Sequence, residues 1–257
     1  MTHSEFISSE SVRKRYWARS VFGIEFFSRA RPNRGHFALA QLEKGGFVNS
    51  LITQNVDRLH QAAGSSKVLE IHGHGHGVSC LNCKTEFSRK LFTNDLKEKN
   101  AEFLEEVKRR DERRKAKKLM KVTLGEFDED LEDVEVSKQR ADGDAELGDS
   151  STDFSRFEII PCYACGGVLM PTIVFFGGFV PQEVKNKASE LVEECDQILA
   201  LGSTLQTFSC FRLVRDAKEQ NKKVGIVNFG QTRADPIADF RIEANIGDLL
   251  TDVVKDR

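Results

Sequence analysis

Two Cys-x-x-Cys pairs, Cys80–Cys83 and Cys162–Cys165, constrain this chain more than any other feature. Each pair offers two sulfur ligands from one tight turn, and two pairs close a tetrahedral shell around a single Zn2+. Four thiolates leave no position for water, so such a metal is structural and clamps loops with little core of their own. "CLNCKTEF" and "CYACGGVL" read as short turns flanked by strand formers, with Gly166 and Gly167 permitting a tight knuckle. Two unrelated pairs, or a redox pair, are the alternatives. The first twenty residues carry no apolar h-region, so the cysteines point to metal or redox chemistry rather than a disulfide framework. The other two, Cys195 and Cys210, fall on helix-like stretches and read as buried packing residues.

The pairs are separated by 78 residues, far more than a compact ribbon needs. A charged insertion at about 92–156 accounts for the excess, because lengthening a surface loop costs only about (3/2)RT ln n. Its "EEVKRRDERRKAKK" (105–118) has Glu105 and Arg109, and Glu106 and Arg110, at the i,i+4 spacing of a solvated helix. An acidic run, "EFDEDLEDVEVS" (126–137), follows and is expected to be disordered. Beside it, and with a net charge of −2, the basic run makes no case for nucleic acid as a partner. No apolar run approaches the roughly 18 residues of a membrane span.

Elsewhere short apolar runs end in Gly, Asn or Asp. "FVNSLIT" (47–53), "LMPTIVFFG" (169–177), "QILALGSTL" (197–205), "KVGIVNFG" (223–230) and "RIEANIGDLL" (241–250) each read as a strand, the last followed by a helix capped by Asp248. Helix-like stretches alternate with them, as in "CFRLVRDAKEQ". The fold class expected is α/β, with a parallel sheet. In such sheets ligands bind at the carboxyl ends of the strands, where "TQNVD", "GST" and "NFG" fall.

The ordered set "TQNVDRLHQAAG" (53–64), "LEIHG" (69–73), two Cys-x-x-Cys pairs, "IVFFG" (173–177), "GSTLQ" (202–206) and "NFG" (228–230) resembles the sirtuins, NAD-dependent protein deacylases. "RYWARS" (15–20) and "RPNRGHFAL" (31–39) look like their class II, mitochondrial, lipoamidase-type branch. The resemblance implies a Rossmann-like NAD-binding domain (46–78 and 168–257), a helical module (1–45) and a zinc-binding module (79–167). Acyl-lysine protein substrates would thread the cleft between the large and small parts. The acyl oxygen would attack the nicotinamide ribose as nicotinamide leaves, and a histidine would take a proton from a ribose hydroxyl.

His72 matches that histidine, and an imidazole titrating near neutrality suits the task. Gln54, Asn55, Val56 and Asp57 match the nicotinamide and ribose contacts. Gly202, Ser203 and Thr204 match the turn near ribose and phosphates. Asn228, Phe229, Gly230 and Ile246 match the adenosine side. Val174, Phe175, Phe176 and Gly177 match the substrate strand. Tyr16 and Arg19 have the Y-x-x-R spacing that some class II members use for acyl chains ending in carboxylate, although a packed helix face would look the same. His74 and His76 stand where the family has other residues and read as exposed loop positions, because four cysteines already saturate a zinc.

One family feature has no counterpart. The Gly-Ala-Gly-Ile-Ser loop that wraps the pyrophosphate is absent before Arg13. The expected sheet is therefore an incomplete Rossmann-like one with an unpaired edge. A truncated gene product, a non-catalytic paralogue that binds acyl peptide, and a protein binding NAD weakly through its remaining half are the readings left open. By resemblance the address is the mitochondrial matrix, and a monomer is favoured.

Overall fold

The computed structural model describes residues 1–123 and 152–256. The chain divides into two compact units, Met1–Arg29 with His74–Gly178, and Ala30–Gly73 with Phe179–Arg257. The first holds α1 (His3–Ser8), α2 (Glu10–Arg29), β3 (Gly73–Cys80), β4 (Glu86–Ser88), α5 (Arg89–Lys99), α6 (Ala101–Thr123) and β5 (Leu169–Ile173). The second holds α3 (Arg34–Lys44), β1 (Leu51–Thr53), α4 (Leu59–Ala62), β2 (Val68–Glu70), α7 (Gln182–Glu194), β6 (Gln197–Leu201), α8 (Phe208–Glu219), β7 (Lys223–Val227), β8 (Phe240–Ile242) and α9 (Ile246–Lys255).

In the second unit β6, β7 and β8 form a parallel sheet in that order, and β1 and β2 form a separate parallel pair. β7 is a continuous apolar run because helices cover it: Val224, Ile226 and Val227 are buried. α8 supplies part of that cover. Its Cys210, Leu213, Val214 and Ala217 recur at helical spacing and are all buried. Both sheets feed one core, with Ile52 and Leu69 packed on the same cluster as Ile198 and Ala200. Yet β1 and β6 do not pair. Leu199 of β6 stays 47% exposed, far from usual for a strand inside a parallel sheet. The incomplete sheet expected from the sequence is what forms.

Asp239, just ahead of β8, pins this sheet to α8. It accepts hydrogen bonds from the Val224 amide (2.8 Å) and pairs with Lys218 at 2.8 Å. Lys218, then the Val224 amide, hold its carboxyl down to about 2, against an ordinary 3.8. The folded pKa lies below the unfolded one, so this contribution is complete above about pH 4 and is lost as pH falls through the folded value. Asp239→Asn is expected to melt earlier than the parent chain at pH 7, with the two melting temperatures converging toward pH 2.

The first unit is built on aromatics. Phe6, Tyr16, Trp17, Phe92 and Phe175 are buried, and Trp17 meets Phe92 edge-on with centroids 4.7 Å apart. Arg89 lies with its guanidinium 4.7 Å from the Trp17 ring and donates to Ser20 Oγ at 2.7 Å. β3 is the middle strand of the sheet, between β4 and β5.

Several expectations change here. The helix over 105–118 is present as part of α6, but its N-terminal half and α5 are not simply solvated. Phe92, Leu96, Phe103, Leu104 and Val107 are buried, so the front of the charged insertion belongs to the core. The acidic run 126–137 lies outside the described residues. His74 and His76 are strand residues of β3, not loop residues. His74 Nδ1 is 3.2 Å from Thr172 Oγ1, and the His76 ring is 5.5 Å from Phe27. The strand over 47–53 shortens to Leu51–Thr53. "LMPTIVFFG" pairs within the first unit through β5 rather than with the strands of the second, and α3 groups with α9 in the second unit. The cap of α9 is Asn245, which accepts from the Asp248 amide at 3.1 Å; Asp248 instead pairs with Arg34.

Candidate active site and metal centre

The carboxyl ends of β1, β6 and β7 carry the polar residues singled out in the sequence. After β1, the Gln54 amide donates to Ser203 Oγ at 2.8 Å, and its carbonyl oxygen accepts from Thr207 Oγ1 at 3.0 Å. One side chain thus ties the end of β1 to the turn after β6 and to the start of α8. Val56 is buried, and Asp57 accepts from the Leu59 amide at 2.9 Å, shaping the turn into α4. Asn55 is exposed, with its amide on Thr53 Oγ1 at 3.1 Å.

Gly202 closes β6 in the left-handed region, φ +59°, and a Cβ there would meet Ile246 Cδ1 at 2.8 Å. Both the conformation and the approach of α9 require glycine. Arg233 holds the following turn from outside. Its amide donates to the Thr204 carbonyl (2.9 Å), its guanidinium to the Gln206 carbonyl (3.3 Å), and it stacks 4.3 Å from the Phe211 ring. After β7, buried Asn228 donates to the carbonyls of Phe229 (2.7 Å) and Gly230 (3.2 Å). Gly230 has φ +72° and open space where a Cβ would stand; Phe229 is exposed.

His72 sits in the turn after β2. Its Nε2 lies 2.9 Å from Ser209 Oγ, in the first turn of α8. Burial pushes the imidazole below its ordinary value, with the Gln54 main chain opposing, which favours the neutral ring. A neutral imidazole at the strand ends, beside hydroxyls and an amide, is equipped to accept a proton from a bound hydroxyl. Small residues and hydrogen-bonding groups at three strand ends suit the sugar and nicotinamide portions of a dinucleotide. A glycine-rich pyrophosphate turn is not among the described residues.

The four cysteines are in the other unit. Their sulfurs lie within 4.8 Å of one another, with Cys80–Cys165 at 3.5 Å and Cys83–Cys162 at 3.7 Å. Zn–S bonds of about 2.3 Å place tetrahedral sulfurs roughly 3.8 Å apart, so the set fits zinc. The amides of Asn82 and Ala164 each point at the preceding knuckle sulfur, at 3.4 Å. A Cβ on Gly167 would meet Cys80 Sγ at 3.0 Å, which is why the second knuckle ends in glycine. Thr85 draws the Cys83 thiol down to about 6, toward the thiolate that metal binding needs, whereas burial pushes Cys162 up to about 11. Among the described residues this is the only such ligand group, and it contains no histidine. The run "HGHGHGVSCLNC" therefore splits into two cysteines that join the sulfur shell and three histidines that do not.

Tyr16 is buried on α2, with its ring 5.5 Å from Phe6 and 5.4 Å from Phe175. Arg19 is half-buried one turn on. Val174 to Gly177 follow β5. There Phe176 is exposed, its carbonyl accepts from the His3 amide at 2.9 Å, and Gly177 has φ +73°. Sequence reasoning missed Thr207, Ser209 and Arg233. The first two carried a usable signal, hydroxyl residues entering a helix behind a strand-end turn; Arg233 carried none.

The Sir2 family profile matches residues 1–209. A curated relative from Arabidopsis thaliana, "NAD-dependent protein deacylase SRT2", is 42% identical over 250 residues, covering 97% of this chain and 63% of its own length. "NAD-dependent protein deacylase Sirt4" of Drosophila melanogaster is 40% identical over 248 residues, covering 96% and 70%. Among solved structures, "Sir2 bound to acetylated peptide" superposes with a TM-score of 0.68 at 25% identity, over 98% of this chain and 81% of that one. The chain thus spans less than two thirds of the plant relative. The profile runs through both the sulfur shell and the His72 network, and identity near 40% extends along almost all of the chain, so the chain belongs to the Sir2 family.

Proposed function

We propose that this protein is an NAD-dependent protein-lysine deacylase that yields nicotinamide and O-acyl-ADP-ribose. The observation carrying the reading is the half-buried His72 at the strand ends, its Nε2 2.9 Å from Ser209 Oγ, beside the Gln54 side chain that bonds Ser203 and Thr207. NAD supplies a ribose carbon whose leaving group is nicotinamide. Gln54, Asn55, Val56 and Asp57 hold the nicotinamide and its ribose. Gly202, Ser203 and Thr204 admit the sugar and phosphates closely, and Asn228 to Gly230 with Ile246 take the adenosine side. His72 accepts the proton of a ribose hydroxyl. Val174 to Gly177 take the substrate strand, and Tyr16 with Arg19 the distal end of the acyl chain, which favours a class II, lipoamidase-type preference and a mitochondrial address. One zinc on Cys80, Cys83, Cys162 and Cys165 braces the first unit. The test is to incubate the chain with NAD and acetyl- and lipoyl-lysine peptides, following nicotinamide release and peptide mass. Turnover of neither peptide would defeat the reading.

Arg233→Ala should weaken NAD about 3- to 10-fold in calorimetric titration, because it removes the guanidinium's hydrogen bond to the Gln206 carbonyl and its stacking on Phe211, together worth roughly 1 kcal/mol, while the main-chain bond to Thr204 stays. An unchanged affinity would show that the turn holds without it. A second reading, a non-catalytic module that binds acyl peptide, is favoured by one observation, that β1 and β6 do not pair with each other. An NAD affinity weaker than about millimolar, only about −4 kcal/mol of binding, would support it.

A further inference from the structure

We propose that Glu70 is the positioning residue of the Gln54–Asp57 loop, which it closes through Arg58; this rests on the reading of that loop as the nicotinamide and ribose contact. Arg58 ends the loop and leads into α4 with φ 60° and ψ 22°, in the left-handed region. A residue with a Cβ is disfavoured there, and it persists only where its surroundings over-determine it. Glycine would take the same turn without strain. An arginine at this position therefore needs a side-chain bond that holds it in place.

That bond is a fork. Arg58 Nε donates to Glu70 Oε1 at 3.2 Å, and its Nη2 donates to Glu70 Oε2 at 3.5 Å. Gln61 Nε2, on α4, donates to the same Oε1 at 3.0 Å. Glu70 is itself fixed by the pairing of β1 with β2. It stands opposite Thr53 in the parallel register, and the Ile71 amide donates to the Thr53 carbonyl at 3.0 Å. The loop thus leaves β1 beside Glu70 and comes back to the Glu70 carboxylate at Arg58. Gln54, Asn55, Val56 and Asp57 lie between these two anchors.

An exposed ion pair on a flexible stem would set little. Here the Glu70 side chain is only 15% exposed, and it receives donors from both Arg58 and Gln61. Beyond the fork, Asp57 accepts from the Leu59 amide at 2.9 Å, so the position of Arg58 is passed to the start of α4. Glu70 acts through Arg58 and Gln61 and fixes where the loop side chains stand.

The experiment uses the full chain with Glu70→Ala, Arg58→Ala and Arg58→Gly. Arg58→Ala removes the fork and keeps the strain, whereas Arg58→Gly removes both. Amide hydrogen exchange without NAD reads the loop at Leu59. Exchange there should speed about 10-fold in Glu70→Ala and in Arg58→Ala, as a left-handed residue loses its support. In Arg58→Gly it should stay within about 3-fold of the parent chain. The Ile226 amide, in buried β7, should keep the parent rate in all three. If Glu70→Ala loosens β7 as well, the two Arg58 variants alone decide. Affinity for NAD in calorimetric titration should follow the same order, falling about 3- to 10-fold in the two alanine variants. Combining those two should cost little more than either alone, because both cut one fork. Equal losses in Arg58→Ala and Arg58→Gly would overturn the proposal, as would unchanged Leu59 exchange in both alanine variants. An NAD affinity indifferent to a loosened loop would overturn it too. Leu59 exchange in the expected order, in a parent chain that does not bind NAD, would instead sink the underlying reading and leave the hold of Glu70 on the loop intact.

Discussion

His72→Ala is expected to slow deacylation, with the rate of the acyl-transfer step falling about 10²- to 10⁴-fold, the range a positioned general base contributes. On the proposed reading NAD binding is little changed, because the hydrogen bonds of Gln54, Ser203 and Asn228 at the strand ends do not run through the imidazole. The pH profile of the parent chain carries a second signature. Burial holds His72 below the ordinary imidazole value of 6.5. The base works when neutral, so a lowered pKa moves the acid loss of activity to lower pH. The acid limb of kcat/KM is therefore expected below pH 6.5, and it disappears in the alanine variant. Stopped assays across pH 5–8 with saturating peptide read both. An alanine variant that retains the parent rate, or an acid limb above the free imidazole range, contradicts this role.

The second large effect is at the sulfur shell. Cys162→Ser reduces bound zinc from one per chain to a trace and costs the first unit its fold around the knuckles. Apparent binding energies of about 10–16 kcal/mol for structural zinc in small peptides greatly exceed what two short turns recover by packing. The β3–β4–β5 sheet supplies few substitutes: Cys80 and Cys162 are buried, but Cys83 and Cys165 are exposed. Elemental analysis with limited proteolysis checks this, with new cleavage expected between residues 80 and 168 in the variant and in chelator-treated parent chain. A zinc-free chain with unchanged protease resistance would show that the sulfurs do not hold the fold.

The division of "EIHGHGHGVSCLNC" between sulfurs of one shell and a histidine at a strand end was legible because each part rests on local rules. Cysteine spacing implies a knuckle, and a polar residue behind an apolar run implies a strand end. The parallel strands over Gln197–Leu201 and Lys223–Val227 follow the same logic, since a continuous apolar run bounded by Gly and Asn has few other uses. The short strand Leu51–Thr53, the burial of Phe92 and Leu96, and the strand placement of His74 and His76 were not legible. Charge dominates those neighbourhoods or glycine interrupts them, and packing overrode the local pattern.

Sequence alone determined the ligand set for zinc and the strand ends that carry Gln54, Ser203 and Asn228, because spacing and apolar runs are properties of neighbours along the chain. Only the tertiary structure decided that Leu169–Ile173 pairs with β3, that Asn245 rather than Asp248 caps α9, and that Ser209 stands 2.9 Å from His72 Nε2. His72 and Ser209 are 137 positions apart. Hydrogen bonds have a reach of about 3 Å, and only the folding of α8 against the strand ends brings such distant groups within it.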